Sequence, residues 1–151
     1  MIAKYGYRLV YGAGGIGLMG ELADSVLKNN GEVLGVIPKH LLDMEVAKTD
    51  VTSLIITENM HERKKVMFMN SDTIVILPGG IGTLDEFFEI LTWRQLNLHS
   101  KDIYIINING FWDKLISLLD YLIMQEFSDC STQEYYTVIT SLHELDNVLK
   151  N

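Results

Sequence analysis

Residues 74–86 read IVILPGGIGTLDE, and this stretch decides the fold that we expect. The apolar residues Ile74–Leu77 run without alternation, as in a parallel strand that is covered on both faces. A proline and three glycines follow, and they predict a tight turn with little side-chain bulk. We expect Thr83 to cap the helix that comes next. The stretch therefore predicts a helix N-terminus whose free amides can bind phosphate.

Strands and helices alternate along the rest of the chain in the same way. We expect strands near residues 8–11, 33–37, 54–57, 73–77, 103–106 and 136–139. We expect helices near residues 21–30, 59–70, 83–96, 111–126 and from 141 onward, whereas 41–47 is ambiguous and could form a short helix. This pattern predicts a single α/β domain over residues 1–151, with a doubly wound, Rossmann-like, mostly parallel sheet and helices on both faces.

The composition excludes several classes of function. A net charge of −8 disfavours a nucleic-acid-binding surface, which needs many Lys and Arg. No apolar run approaches membrane-spanning length, and the first residues lack the apolar core of a signal peptide. The single cysteine, Cys130, can form no intrachain disulfide, which fits a reducing cytoplasm. The few histidines show no ligand spacing, so we expect no metal, and no cofactor is indicated.

A second glycine-rich turn, residues 12–20, reads GAGGIGLMG. It matches the dinucleotide-binding pattern G-x-G-x-x-G only loosely. No acidic residue ends the next strand, which runs into Pro38 and Lys39, so an NAD site is disfavoured. Gly14 and Gly15 could form a second wall for an anion, or they could let a helix approach a strand. The sequence leaves both interpretations open.

Residues 60–64 read MHERK, at the start of a helix that Asn59 can cap. This motif, followed by PGGIGTLDE at residues 78–86, resembles the Lonely Guy family of cytokinin riboside 5′-monophosphate phosphoribohydrolases, formerly described as lysine decarboxylases. Supporting matches in the same order cover nearly the whole chain: VYG at 10–12, GLMG at 17–20, GVIP at 35–38 and TWRQL at 92–96.

The resemblance implies hydrolysis of the N-glycosidic bond of an adenosine-5′-monophosphate-type nucleotide, giving a free base and ribose 5-phosphate. It also implies a homodimer with sites near the subunit interface. Met60 could touch the base or pack in the core. The residues that the resemblance assigns are Arg63 and Glu86 as the catalytic pair and Gly79, Gly80, Gly82 and Thr83 as the phosphate loop. Apart from the resemblance, Met60, Gly14 and Gly15 are further candidate substrate contacts.

The family pattern begins with a further strand and helix, joined by a Gly-Ser-Ser turn, which precede the strand at residues 8–11. Met1 falls within what would be that first helix. In the strand order 3-2-1-4-5-6 the additional strand would be central. We therefore expect either a chain truncated at its N-terminus relative to the family or direct pairing of the strands at 9–11 and 73–77.

Each catalytic candidate also has a purely structural interpretation. Thr83 and Glu86 have the spacing of a capping box, so helix stability alone would explain Glu86. Arg63 lies in a charged run that would be solvated on any surface helix. Two other functions compete with hydrolysis. One is a non-catalytic carrier of a nucleotide or phosphorylated cofactor, which would not need both residues. The other, a pyridoxal-phosphate lysine decarboxylase, has no lysine in an evident cofactor context.

Overall fold

The computed structural model describes residues 1–42 and 47–150. The chain divides into two compact units, Met1–Ser71 and Asp72–Asn151. Each unit contains a three-stranded parallel sheet. The predicted class, parallel sheets in a doubly wound α/β protein, is confirmed. That the two units form one domain stays a prediction.

The first unit holds strands β1 to β3 in the order β1-β2-β3. Because the strands are parallel, their carboxyl ends lie at one edge of the sheet. The turn after β1 and the start of α3 after β3 both lie at that edge. The elements are β1 (Arg8–Tyr11), α1 (Gly17–Lys28), β2 (Glu32–Pro38), α2 (Lys39–Leu42), β3 (Ser53–Thr57) and α3 (Met60–Met69). Residues 43–46 of the ambiguous run 41–47 lie outside the described residues.

The second unit holds strands β4 to β6 in the order β4-β5-β6, again parallel. Ile76 of β4 pairs with Ile105, which pairs in turn with Val138 of β6. The glycine-rich turn follows β4 at the carboxyl edge of this sheet. The elements are β4 (Ile74–Ile76), α4 (Ile81–Gln95), β5 (Ile103–Ile106), α5 (Asp113–Met124), β6 (Thr137–Ile139) and α6 (Leu142–Leu149).

Each unit has buried apolar residues of its own. In the first, a cluster is formed by Leu9, Tyr11, Ala23, Val26 and Val33. In the second, α4 buries Phe87, Ile90 and Leu91, and β5 buries Ile103 and Ile105. Strands β1 and β4 are each an edge strand of their own sheet. Among the residues described, no helix combines the length and apolar character needed to cross a bilayer.

Side-chain caps account for the starts of two helices, α3 and α6. The Asn59 side chain accepts from the Glu62 amide at the start of α3, as predicted. A capping box opens α6: Ser141 accepts from the Glu144 amide at 3.2 Å, and the Glu144 carboxylate accepts from the Thr140 amide at 2.7 Å. The hydrogen bonds that Thr140 donates to the carboxylate lower the pKa of Glu144.

The end of α5 carries backbone strain. Glu126 has φ of +62°, the left-handed conformation that favours glycine. Its amide donates to Ile123 at 3.0 Å and the Phe127 amide donates to Leu122 at 2.9 Å, which is the Schellman pattern of a helix C-terminus. A residue with a Cβ thus occupies the position where glycine is most often found.

We predict that Glu126→Gly raises the free energy of unfolding by about 0.5–1 kcal/mol, because relief of the left-handed strain outweighs the added freedom of the unfolded chain. Chemical denaturation measures the change. The matched control is Gln125→Gly, since Gln125 has φ of −88° and gains no relief there. Equal effects at the two positions would contradict the prediction.

Candidate active site

Arg63 is buried, with only 8% of its surface exposed. Its Nε donates to the Val36 carbonyl at 3.1 Å, and its Nη2 donates to the Gly12 carbonyl at 2.7 Å. Val36 lies in β2 and Gly12 directly follows β1, so α3 carries the guanidinium to the carboxyl ends of two neighbouring strands. The interpretation of Arg63 as a solvated charge on a surface helix is wrong.

The recorded partners of Arg63 among residues 1–42 and 47–150 are all neutral. Besides the two carbonyls, the sulfur of Met60 lies 3.8 Å from Nη1. A guanidinium has five N–H groups and keeps its positive charge at any physiological pH. These contacts orient the fork without neutralising it. Within the described residues the arrangement is therefore suited to an anionic ligand, because a buried charge that is not neutralised is costly.

Met60 is half-buried at the first position of α3. Its sulfur contacts Nη1 of Arg63. This contact does not decide between the two interpretations of Met60, packing in the core and contact with the base. The residue lies at the rim of the guanidinium, where a ligand bound by Arg63 would reach it. Its predicted role as a substrate contact stays a prediction.

The first glycine-rich turn is closely packed. A Cβ on Gly12 would overlap Nη2 of Arg63, and a Cβ on Gly14 would overlap the Met19 side chain. Gly14 also forms an isolated bridge with Ala47. Close approach therefore explains Gly12 and Gly14, whereas Gly15 is exposed and stays a candidate anion contact.

A second cation beside this turn is fully paired. The Lys48 amide donates to the Ala13 carbonyl at 2.9 Å, while its ammonium lies 2.6 Å from Asp24 and 2.9 Å from Asp50. These hydrogen bonds raise the pKa of Lys48 and lower that of Asp50. Burial raises the pKa of the neighbouring Tyr11. Since Lys48 already has two carboxylates, Arg63 is the better placed of the two cations for a ligand.

The second glycine-rich turn is open. Helix α4 begins at Ile81 with Gly80 as its N-cap, and its first hydrogen bond joins the Leu84 amide to the Gly80 carbonyl at 3.2 Å. A Cβ on Gly80 or Gly82 would meet nothing within 4 Å. The amides that precede the first helical hydrogen bond lack an intrahelical acceptor, as the first amides of any helix do. In the described structure the turn thus combines amides that lack an intrahelical acceptor with open space at Gly80 and Gly82.

The prediction that Thr83 caps α4 is wrong. The helix starts two residues earlier, and its N-cap, Gly80, has no side chain to form a capping hydrogen bond. Thr83 is instead the third helical residue, and its side chain packs where a Cβ of Gly79 would lie. Gly79 therefore serves the packing of the turn, unlike Gly80 and Gly82.

Glu86 is half-buried in the second turn of α4. Because Thr83 is not the N-cap, Glu86 is the sixth helical residue and not the third. The capping-box explanation of Glu86 is thereby wrong, and the main structural alternative to a functional role is lost. Arg63 lies in the first compact unit and Glu86 in the second, so their action as a pair stays a prediction.

The signal for the role of Gly12 was present in the sequence but incomplete. Gly12 is the first glycine after a predicted strand. That its carbonyl accepts from Arg63 depends on the parallel pairing of β1 with β2, which the local sequence does not show. Within the described part of the chain, no cluster of three or more His, Cys, Asp or Glu side chains could hold a metal ion.

Comparison with solved structures gives the fold. The molybdenum cofactor binding protein from Rippkaea orientalis matches with a TM-score of 0.72 and 19% identity, over 99% of this chain and 79% of that protein. The molybdenum cofactor carrier protein from Chlamydomonas reinhardtii matches with a TM-score of 0.70 and 19% identity, over the same shares. At this identity the likeness concerns the fold alone.

Comparison with curated sequences gives much higher identity. A probable cytokinin riboside 5′-monophosphate phosphoribohydrolase from Oryza sativa subsp. japonica is 40% identical over 95% of this chain and 65% of its own length. Enzymes with that activity in their names match from Arabidopsis thaliana (36% identity, 95% of this chain) and Rhodococcoides fascians (40%, 87%), each over 67% of its own length. The chain thus spans about two thirds of the length of these relatives.

The family model described as "Possible lysine decarboxylase" matches residues 19–149. That description is the former label of the family whose MHERK and PGGIGTLDE motifs this sequence carries. The chain belongs to the Lonely Guy family.

Proposed function

We propose that this protein hydrolyses the N-glycosidic bond of an adenosine-5′-monophosphate-type nucleotide, either a cytokinin riboside 5′-monophosphate or AMP itself. The observation that carries the proposal is the buried guanidinium of Arg63, which is fixed by neutral acceptors and keeps its charge for an anion. The names of the curated relatives support the same reaction.

The open turn supports a site for the 5′-phosphate. A phosphate at the N-terminus of α4 would accept hydrogen bonds from main-chain amides and would be stabilised by the helix dipole. The contacts that we propose for the nucleotide are Gly79, Gly80, Gly82 and Thr83 at the phosphate, and Met60, Gly14 and Gly15 elsewhere on the ligand.

The reaction breaks the C1′–N bond of the ribose through an oxocarbenium-like transition state, by analogy with glycoside cleavage. Positive charge develops on the sugar, negative charge on the departing base, and a water molecule supplies the new hydroxyl. Glu86 is the proposed carboxylate that stabilises the sugar cation and orients or deprotonates the water. Arg63 neutralises negative charge on the nucleotide. The base leaves with a proton, so atoms and charge balance.

We further propose that the protein is a cytoplasmic homodimer. The outer face of α5 is apolar although it is exposed, which supports a second copy as its cover. Cys130 is a free, exposed thiol, and a reducing compartment would keep it in that form. The exposed apolar residues on and after α5 are Leu118, Tyr121, Met124 and Phe127.

Incubation with AMP and with isopentenyl-AMP tests the proposed reaction. We expect the free base and ribose 5-phosphate to be released in equal amounts, which chromatography measures. Preference between the two substrates identifies which nucleotide the site favours. Saturable binding of both nucleotides without release of base would overturn the proposal and support a non-catalytic carrier.

We predict that Glu86→Gln lowers kcat by roughly 10²–10⁴-fold, the range for loss of acid–base help, while AMP still binds. The substitution keeps the shape of the side chain and removes only its charge. Steady-state kinetics and calorimetric titration with AMP separate the two effects. Glu134→Gln, an exposed carboxylate on the same unit, is the control. If Glu86→Gln mainly lowers the melting temperature and turnover persists, the role of Glu86 is structural.

Gly82→Ala separates ligand binding from folding in the open turn. Apart from its chain neighbours and the backbone of its own helix, the added methyl meets no described atom within 4 Å, and it adds helix propensity, so stability should be retained or rise by up to about 1 kcal/mol. Because a helical Cβ tilts toward the helix N-terminus, we expect AMP affinity to fall about tenfold or more.

Gly79→Ala is the matched comparison, because its methyl would overlap the Thr83 side chain and should lower stability. Thermal denaturation and AMP titration of both variants check the prediction. Unchanged AMP affinity in Gly82→Ala would place the phosphate elsewhere.

A further inference from the structure

Thr57 is a buried polar residue at the end of β3, with 3% of its surface exposed. Its hydroxyl donates to the Asn59 carbonyl at 3.2 Å. The hydrogen bond spans the two residues that link β3 to α3. It therefore ties the last residue of a strand directly to the N-cap of the helix that carries Arg63.

The Asn59 carbonyl accepts a second hydrogen bond, from the main-chain amide of Arg63 at 3.1 Å. The Asn59 side chain accepts from the Glu62 amide at 2.9 Å, and the Glu62 carboxylate accepts from the Glu58 amide at 2.7 Å. Asn59 is thus fixed through both its main chain and its side chain. Thr57 connects this group to the sheet.

The orientation of Arg63 depends on where α3 begins. Successive residues of an α-helix are rotated by about 100°, so a small change in the first turn would redirect the side chain. The amide of Arg63 donates to the carbonyl of the N-cap, Asn59, in a hydrogen bond of the first helical turn. Its guanidinium must still reach Gly12 and Val36 at hydrogen-bonding distance. The position of the charge therefore requires a fixed helix start.

We propose that Thr57 is a positioning residue for Arg63, whose hydroxyl sets the start of α3 and thereby directs the guanidinium. The effect on turnover rests on the proposed function, whereas the effect on the orientation of Arg63 does not. The competing explanation is that Thr57 only fills space in the core. The two explanations differ in which part of the side chain matters, the hydroxyl or the methyl group.

Two substitutions separate those parts. Thr57→Val keeps the shape and removes the hydroxyl, whereas Thr57→Ser keeps the hydroxyl and removes the buried methyl. Val26→Ala in α1 is the control for general destabilisation, because Val26 is a buried core residue of the same unit and lies on another helix. All three are studied in the full chain.

The first readout needs no catalysis. Phenylglyoxal modifies accessible arginines, and mass spectrometry follows Arg63 with Arg8 as an exposed internal standard. We expect Thr57→Val to raise the modification rate of Arg63 about fivefold, the factor that corresponds to one lost hydrogen bond. The rates in Thr57→Ser and Val26→Ala should stay close to that of the unmodified sequence.

The second readout is turnover of AMP. Thr57→Val should lower kcat about fivefold or more with little change in KM, and Thr57→Ser should restore it. Equal modification rates in Thr57→Val and Thr57→Ser, or an equal rise in Val26→Ala, would overturn the positioning role. If the unmodified sequence releases no base but Thr57→Val alone exposes Arg63, the proposed function fails while the positioning role holds.

Discussion

Two backbone carbonyls at the ends of neighbouring parallel strands hold the guanidinium of Arg63, and the first unit is organised around this contact. It explains why Gly12 has no side chain, because the guanidinium occupies that space. It also explains the elaborate start of α3, where Asn59 is bound through both its carbonyl and its side chain. In residues 1–42 and 47–150 the recorded partners of this buried cation are neutral, which is a costly arrangement and the reason that we propose an anionic ligand for it.

The two glycine-rich turns have different physical roles despite their similar sequences. The turn after β1 is filled by side chains, since Arg63 and Met19 lie where two of its glycines would carry a Cβ. The turn after β4 is open at Gly80 and Gly82. Close approach of side chains explains Gly12 and Gly14 in the first turn, whereas Gly80 and Gly82 in the second leave space beside the start of α4. The second turn is therefore the one that we propose as the phosphate site.

Local sequence was sufficient for much of the fold. Short apolar runs predicted the six strands, and the polar residue before α3 predicted the cap at Asn59. It failed where a tertiary contact or an unusual backbone decides the outcome. Gly80 is the N-cap of α4 although Thr83 is the better capping residue, because the helix already begins at Ile81, inside the glycine-rich turn. Glu126 adopts a left-handed conformation that its side chain does not favour.

At the candidate site, too, the local sequence predicts some features and tertiary contacts decide others. The motif resemblance named Arg63 and Glu86 as candidates, whereas the charged run around Arg63 favours a solvated helix. The Arg63 guanidinium is held by acceptors 27 and 51 residues away in the sequence, which no local pattern reveals. For Glu86 the spacing to Thr83 suggested a capping box, and only the true helix start removes that explanation.

Our proposal requires that the guanidinium of Arg63 binds an anionic nucleotide. Thermal denaturation with and without AMP tests this requirement in a Glu86→Gln background, where AMP is not consumed. Arg63→Met is compared with Arg8→Met, which removes an exposed arginine of the same unit. We expect AMP to raise the melting temperature of the Arg8→Met protein and to leave that of the Arg63→Met protein nearly unchanged. An equal rise in both would contradict it.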